Sequence, residues 1–97
     1  MKLITVIEII RAANGKVAEL RKTFHNLVPI CQKGEGCLQY QLLEPVKGSG
    51  EFLVLMQWSS LEDLARHEAS KLIQDFVRQY DGILYGEVVQ TEWLECR

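Results

Sequence analysis

Apolar and polar positions along this chain change period several times, and each change marks an element. Residues 2–12 are dense in β-branched and apolar types, with Ile4, Val6, Ile7, Ile9 and Ile10 in one run, the composition of a strand. Asn14-Gly15 stops it. From Lys16 to about Lys33 the apolar residues Val17, Leu20, Phe24, Leu27, Val28 and Cys31 recur mainly in steps of three and four. That spacing puts them on one face of a helix, and Pro29 inside the pattern predicts a kink or break. "GEG" at 34–36 ends the helix. "CLQYQLLE" (37–44) alternates as a strand does, "PVKGSG" (45–50) is turn chemistry, and "EFLVLMQW" (51–58) returns as the second arm of a hairpin.

Ser59 and Glu62 stand at the spacing of a capping box, S-x-x-E, which satisfies two amides at a helix start. The helix that follows carries Leu61, Leu64, Ala65, Leu72, Ile73, Phe76 and Tyr80 at helical spacing, with a break expected near Ser70. Gly82 and Gly86 bracket its exit, and "EVVQTEWLE" (87–95) reads as the last strand. The order is βαββαβ, the split pattern of an α+β, ferredoxin-like fold: a four-stranded antiparallel sheet with the helices on one face. Residues 1–97 form a single domain, with no linker, low-complexity segment or residue-level repeat.

The sheet's other face carries its own prediction. A half-solvated antiparallel strand alternates apolar and polar residues, yet residues 52–56 read Phe-Leu-Val-Leu-Met, and Leu3, Ile7 and Ile9 oppose Ile4, Val6 and Ile10. Helices cover one face only, so a homodimer packed sheet to sheet is the simplest cover for the second.

Composition narrows the partners. Eleven Lys and Arg are scattered among thirteen acids for a net charge of −2, which argues against nucleic acid. No run is long and apolar enough for a membrane span. "MKLITVIEIIRA" is interrupted by Glu8 and reads as a strand, not a leader, so a cytoplasmic location is expected. Cys31, Cys37 and Cys96 are an odd set without C-x-x-C spacing. They predict reduced thiols rather than a disulfide framework or a zinc site.

Searching for chemistry removes most options. "GEG" and "GSG" lack the spacing and the strand-to-helix context of a dinucleotide fingerprint, and no phosphate-binding loop motif occurs. His25 and His67 are the only histidines, neither in an H-E-x-x-H, and no G-x-S-x-G elbow is present. No metal is expected. Glu8 breaks an otherwise apolar strand; it sits near a strand end or edge, the plainer expectation, or lines a cavity where burial raises its pKa. His67, one turn after Leu64, borders the apolar stripe of its helix, and His25 falls on the solvent side of the first helix. Trp58 closes a central strand, where a lone Trp is commonly core. Tyr40 and Tyr85 are phenols that would orient a ligand if a cavity reached them.

The succession "GEGCLQYQLLE", then "EFLVLMQWSSLEDLARHEAS", resembles the antibiotic biosynthesis monooxygenase (ABM) superfamily, its quinol monooxygenase branch in particular. The matching positions are Glu35-Gly36-Cys37, Tyr40, Gln57-Trp58, Ser59–Leu61 and Ala65–His67, and the similarity runs from "TVIEI" to the final strand. The resemblance implies a dimeric α/β-barrel assembly of ferredoxin-like protomers. It also implies a cofactor-independent monooxygenase, in which a small electron-rich quinol or phenol itself supplies the electrons to O₂. His67 matches the position of a base, whose pKa would suit its task near the working pH. Trp58, Tyr40, Met56 and Glu8 are the residues expected around the substrate.

Two departures make the pocket greasier. Leu72 stands where the family often has a second His, and Met56 where many members have Glu. The superfamily also holds haem-degrading members, phosphosugar isomerases and members without demonstrated activity. No basic cluster favours a phosphosugar, and the first strand lacks the Asn of the haem degraders. A non-catalytic dimeric ligand-binding domain is the alternative from another class, and the orientation of His67, into a cavity or into solvent, divides the two.

Overall fold

A computed structural model of the chain describes residues 3–96. The elements are β1 (Ile4–Arg11), α1 (Val17–Gln32), β2 (Cys37–Leu43), β3 (Glu51–Trp58), α2 (Leu61–Ala69), α3 (Lys71–Gln79) and β4 (Val89–Leu94). The strands form one antiparallel sheet in the order β2-β3-β1-β4, the ferredoxin-like arrangement the pattern predicts. The start of β1 expected at residue 2 lies outside the described residues, as do both ends of the predicted 1–97 domain.

Strand parity decides the core. Ile4, Val6 and Ile10 of β1 and Phe52, Val54, Met56 and Trp58 of β3 point to the helices and are buried. They meet Leu20, Phe24, Leu27 and Cys31 of α1, Leu64 of α2 and Phe76 of α3. Fully burying side chains such as Phe24 or Phe52 contributes about 1.5–3 kcal/mol each. The opposite face bears no helix: Ile7 pairs with Leu55 and Ile9 with Leu53, all four only partly buried. Val89 and Trp93 of β4 share that parity and are each 55% exposed.

Three local expectations change in detail. The helix α1 runs through Pro29 without interruption to Gln32. Pro29 and His25 both lie on its exposed side, where water can serve the carbonyl left without its usual donor. The cap of α2 is one residue later than the S-x-x-E reading: Ser60 accepts from the Asp63 amide at 3.1 Å, and Asp63, not Glu62, is the acidic partner. Asp63 also accepts from Ser59 Oγ and from Arg66 at 2.7 Å, and these donors hold its carboxylate pKa below the usual range. The predicted break is present, with Ser70 closing α2 and capping α3 through the Ile73 amide at 3.3 Å.

The turn into β2 depends on one glycine. Gly36 has φ of 78°, a conformation open to Gly and costly for other residues. A Cβ there would overlap the Asp63 side chain. The cap of α2 and the start of β2 therefore occupy the same space, which ties the α1–β2 connection to the helix that carries His67.

Candidate active site

Between the helix-facing side of the sheet and α2–α3 lies a cavity of about 260 Å³. Every main element contributes to it. Glu8 comes from the middle of β1, Tyr40 from β2, Met56 from β3, His67 and Glu68 from α2, Tyr80 from the end of α3, and Gln90 from β4. Phe24, Leu64, Ile73 and Phe76 complete apolar walls. The aromatic side is tightly built: Phe76 meets Tyr80 edge-on at 4.3 Å between centroids and Phe24 at 5.2 Å. Such pairs add about 0.5–1.5 kcal/mol beyond their burial and hold the wall rigid.

For Glu8 the structure follows the cavity expectation and not the plainer strand-end one. It is neither at a strand end nor at an edge. It sits in mid-strand between Val54 of β3 and Gln90 of β4, on the same parity as Ile4, Val6 and Ile10, and so faces the cavity. Burial raises its pKa from 4.5 to about 7, with the Glu68 carboxylate a further, smaller push in the same direction. Among the described residues no donor lies within hydrogen-bond distance of it.

His67 also faces this cavity, and its imidazole likewise has no hydrogen-bond partner among the described residues. Its ring stands 5.7 Å from that of Tyr40, edge-on, and 4.5 Å from that of Trp58, tilted by 35°. Burial holds its pKa below 6.5, partly opposed by Glu68, so the neutral imidazole predominates at neutral pH. Burial, with Cys31 and Glu8 nearby, keeps the Tyr40 phenol protonated far above its ordinary range. Tyr80 is shifted in the same direction, by burial first and then by Glu8 and Cys31.

Trp58 is core, as a lone Trp closing a central strand commonly is. It is 1% exposed and lies behind His67 instead of lining this cavity. Its surface faces a neighbouring pocket, also about 260 Å³, shared with Cys31, Arg66 and His67. Among the described residues the Trp58 Nε1 is buried without a partner. Met56 and Tyr40 do line the first cavity; His25 and Tyr85 are exposed and do not line it.

Sequence reasoning missed the roles of Glu68, Tyr80 and Gln90. Tyr80 was legible as an apolar-stripe residue four after Phe76. Gln90 was not, because only the β1–β4 register brings it beside Glu8. Among the described residues no group of three or more His, Cys, Asp or Glu side chains is placed to hold a metal ion. No helix among them is long and apolar enough to cross a membrane. The arrangement suits one kind of chemistry: two unpaired proton acceptors facing an aromatic-walled chamber large enough for a small ring system.

A ferredoxin-like α+β domain with a pocket between sheet and helices is the class this geometry defines. Residues 3–79 match the profile of the family described as antibiotic biosynthesis monooxygenase (ABM), and the chain belongs to that family. Among solved structures it is similar to PA3566 from Pseudomonas aeruginosa, with 27% identity, TM-score 0.91, and 100% of this chain and 97% of that one covered. Rv0793 from Mycobacterium tuberculosis follows at 21% identity and TM-score 0.89, covering 98% of this chain and 96% of that one. A Caulobacter crescentus protein put forward as an antibiotic biosynthesis monooxygenase shares the fold at 23% identity and TM-score 0.90, covering 99% of this chain and 92% of that one. No curated protein matches the chain significantly.

Proposed function

We propose that this ABM-family chain is a cofactor-independent monooxygenase that oxidises a small electron-rich phenol or quinol with O₂. The observation that carries the reading is the pairing of Glu8 and His67 around one aromatic cavity, each without an internal partner. A base must lie within reach of the proton it takes and have a pKa near the working pH. Glu8, at about 7, meets the second condition, and neutral His67 can accept a proton or hold the substrate hydroxyl. Removing the hydroxyl proton makes the ring electron-rich enough to give electrons to O₂. With an activated ring methylene, the carbon becomes a carbonyl and one water leaves. The substrate then supplies all four electrons that O₂ takes up. The walls of Phe24, Met56, Phe76 and Tyr80 exclude water from this step.

The test is oxygen uptake by the purified full chain with reduced naphthoquinols and anthrone-like phenols, against His67→Ala and Glu8→Gln. Uptake above autoxidation that falls at least about a hundredfold in one variant supports the reading and identifies the base, since general-base catalysis contributes roughly 10²–10⁴-fold. Uptake no faster than autoxidation across the panel leaves a non-catalytic ligand-binding domain as the function of this pocket.

The same reading includes a homodimer joined through the helix-free sheet face. Ile7, Ile9, Leu53 and Leu55 form a cross-strand apolar patch there, extended by Val89 and Trp93. A small domain gains proportionally from covering it. Sedimentation of the wild-type chain should give twice the monomer mass and Leu55→Arg the monomer mass; a monomeric wild type removes the dimer from the proposal. Cys31 and Cys37, both free thiols, suit the reducing cytoplasm in which such a protein would work.

A further inference from the structure

We infer that the cavity selects uncharged or cationic aromatic ligands and rejects anionic ones, with Glu68 at its mouth as the discriminating residue. The inference rests on the reading of this cavity as a ligand site and adds the charge class of what enters. Among the described residues the charged or titratable side chains facing the cavity are Glu8, Tyr40, His67, Glu68 and Tyr80, and no Lys or Arg lines it. An anion entering the chamber would meet two acidic groups and no cation able to offset its lost hydration.

The position of Glu68 is built, not incidental. It is exposed to solvent while still lining the cavity, so it stands where ligands enter. Gln90 Nε2 of β4 donates to Glu68 Oε2 at 3.0 Å, and Gln74 Nε2 of α3 donates to the Glu68 carbonyl oxygen at 2.9 Å. Two separate elements thus hold this turn of α2. The cations of α2 and α3 are engaged elsewhere. Lys71 and Arg78 both lie 2.7 Å from Asp75, and Arg66 lies 2.7 Å from Asp63. Deeper in, Glu8 has no internal donor and offers its carboxyl group to a hydroxyl or ammonium on the ligand.

The test is binding, not turnover, by calorimetry at pH 7 with three ligands of one ring system: naphthol, naphthylmethylammonium and naphthoate. Amide shifts of α2 and α3 residues locate each ligand. Naphthol and the ammonium should bind wild type at least several-fold more tightly than naphthoate. Glu68→Gln, which can keep a hydrogen bond to Gln90, should narrow that gap by roughly fivefold, the effect of about 1 kcal/mol expected for one exposed charge. Glu68→Lys should reverse the order of naphthoate and ammonium. Naphthoate binding wild type within twofold of naphthol, or a gap unmoved by both substitutions, overturns the inference. So does the absence of binding by all three ligands. Charge-ordered binding without oxygen uptake sinks the monooxygenase reading and keeps this one; uptake with charge-blind binding does the reverse.

Discussion

The Glu8 carboxyl group makes a quantitative prediction about stability. Its pKa is 4.5 when solvated and about 7 in the fold, so between those values the native state binds the proton more tightly than the unfolded chain. The sign follows: this group's contribution is complete below pH 4.5 and is lost as pH rises through about 7. The raised pKa, at about 1.36 kcal/mol for each unit, gives a total of about 3 kcal/mol. Most of that falls between pH 5 and pH 8 on the same linkage. Glu8→Gln preserves shape and cannot ionise, so it lacks this dependence. Urea unfolding of both proteins at pH 5 and pH 8, at one protein concentration, isolates the effect. The intrinsic cost of the substitution is common to both pH values and cancels in the comparison. The variant should gain about 2–3 kcal/mol on wild type from pH 5 to pH 8. A difference that stays within about 0.5 kcal/mol across that range would refute the burial of an ionisable Glu8 in this cavity.

Three further outcomes follow from neighbouring contacts. Gly36→Ala should destabilise by about 2 kcal/mol or more, from positive-φ strain together with overlap on Asp63; an unfolding midpoint unchanged from wild type refutes it. Trp58→Phe removes a buried N–H that has no partner, so it should cost far less than Trp58→Ala, which should cost about 3–5 kcal/mol; equal costs in thermal unfolding would contradict the buried, unpaired indole. His67, lowered by burial, should titrate below 6.5 when followed by imidazole proton shifts, and should withdraw stability as pH falls through its unfolded value. A midpoint above 6.5 would mean that the ring is solvated or ion-paired.

Much of the fold was legible because periodicity is a local property. The run from Ile4 to Ile10, the stripe from Val17 to Cys31 and the hairpin turn at 45–50 each report an element through neighbours in sequence. The break at Ser70 was visible for the same reason. Capping at Ser60 rather than Ser59 was not, because adjacent serines offer the same hydroxyl. Only the path of the chain decides which one meets the Asp63 amide.

The sequence by itself determined the βαββαβ order, the apolar second face of the sheet, and the candidacy of His67, Tyr40 and Met56. Glu8 was a candidate as well, and its even parity with Ile4, Val6 and Ile10 places it toward the helices. The tertiary structure alone decided how these residues meet. It brought Gln90 beside Glu8 through the β1–β4 register, latched Gln90 to Glu68, and put Trp58 behind His67 instead of beside the cavity. Parity says which face a side chain takes. Distances between side chains on different elements depend on register and on how the helices cross the sheet, and the packing of the whole core sets both.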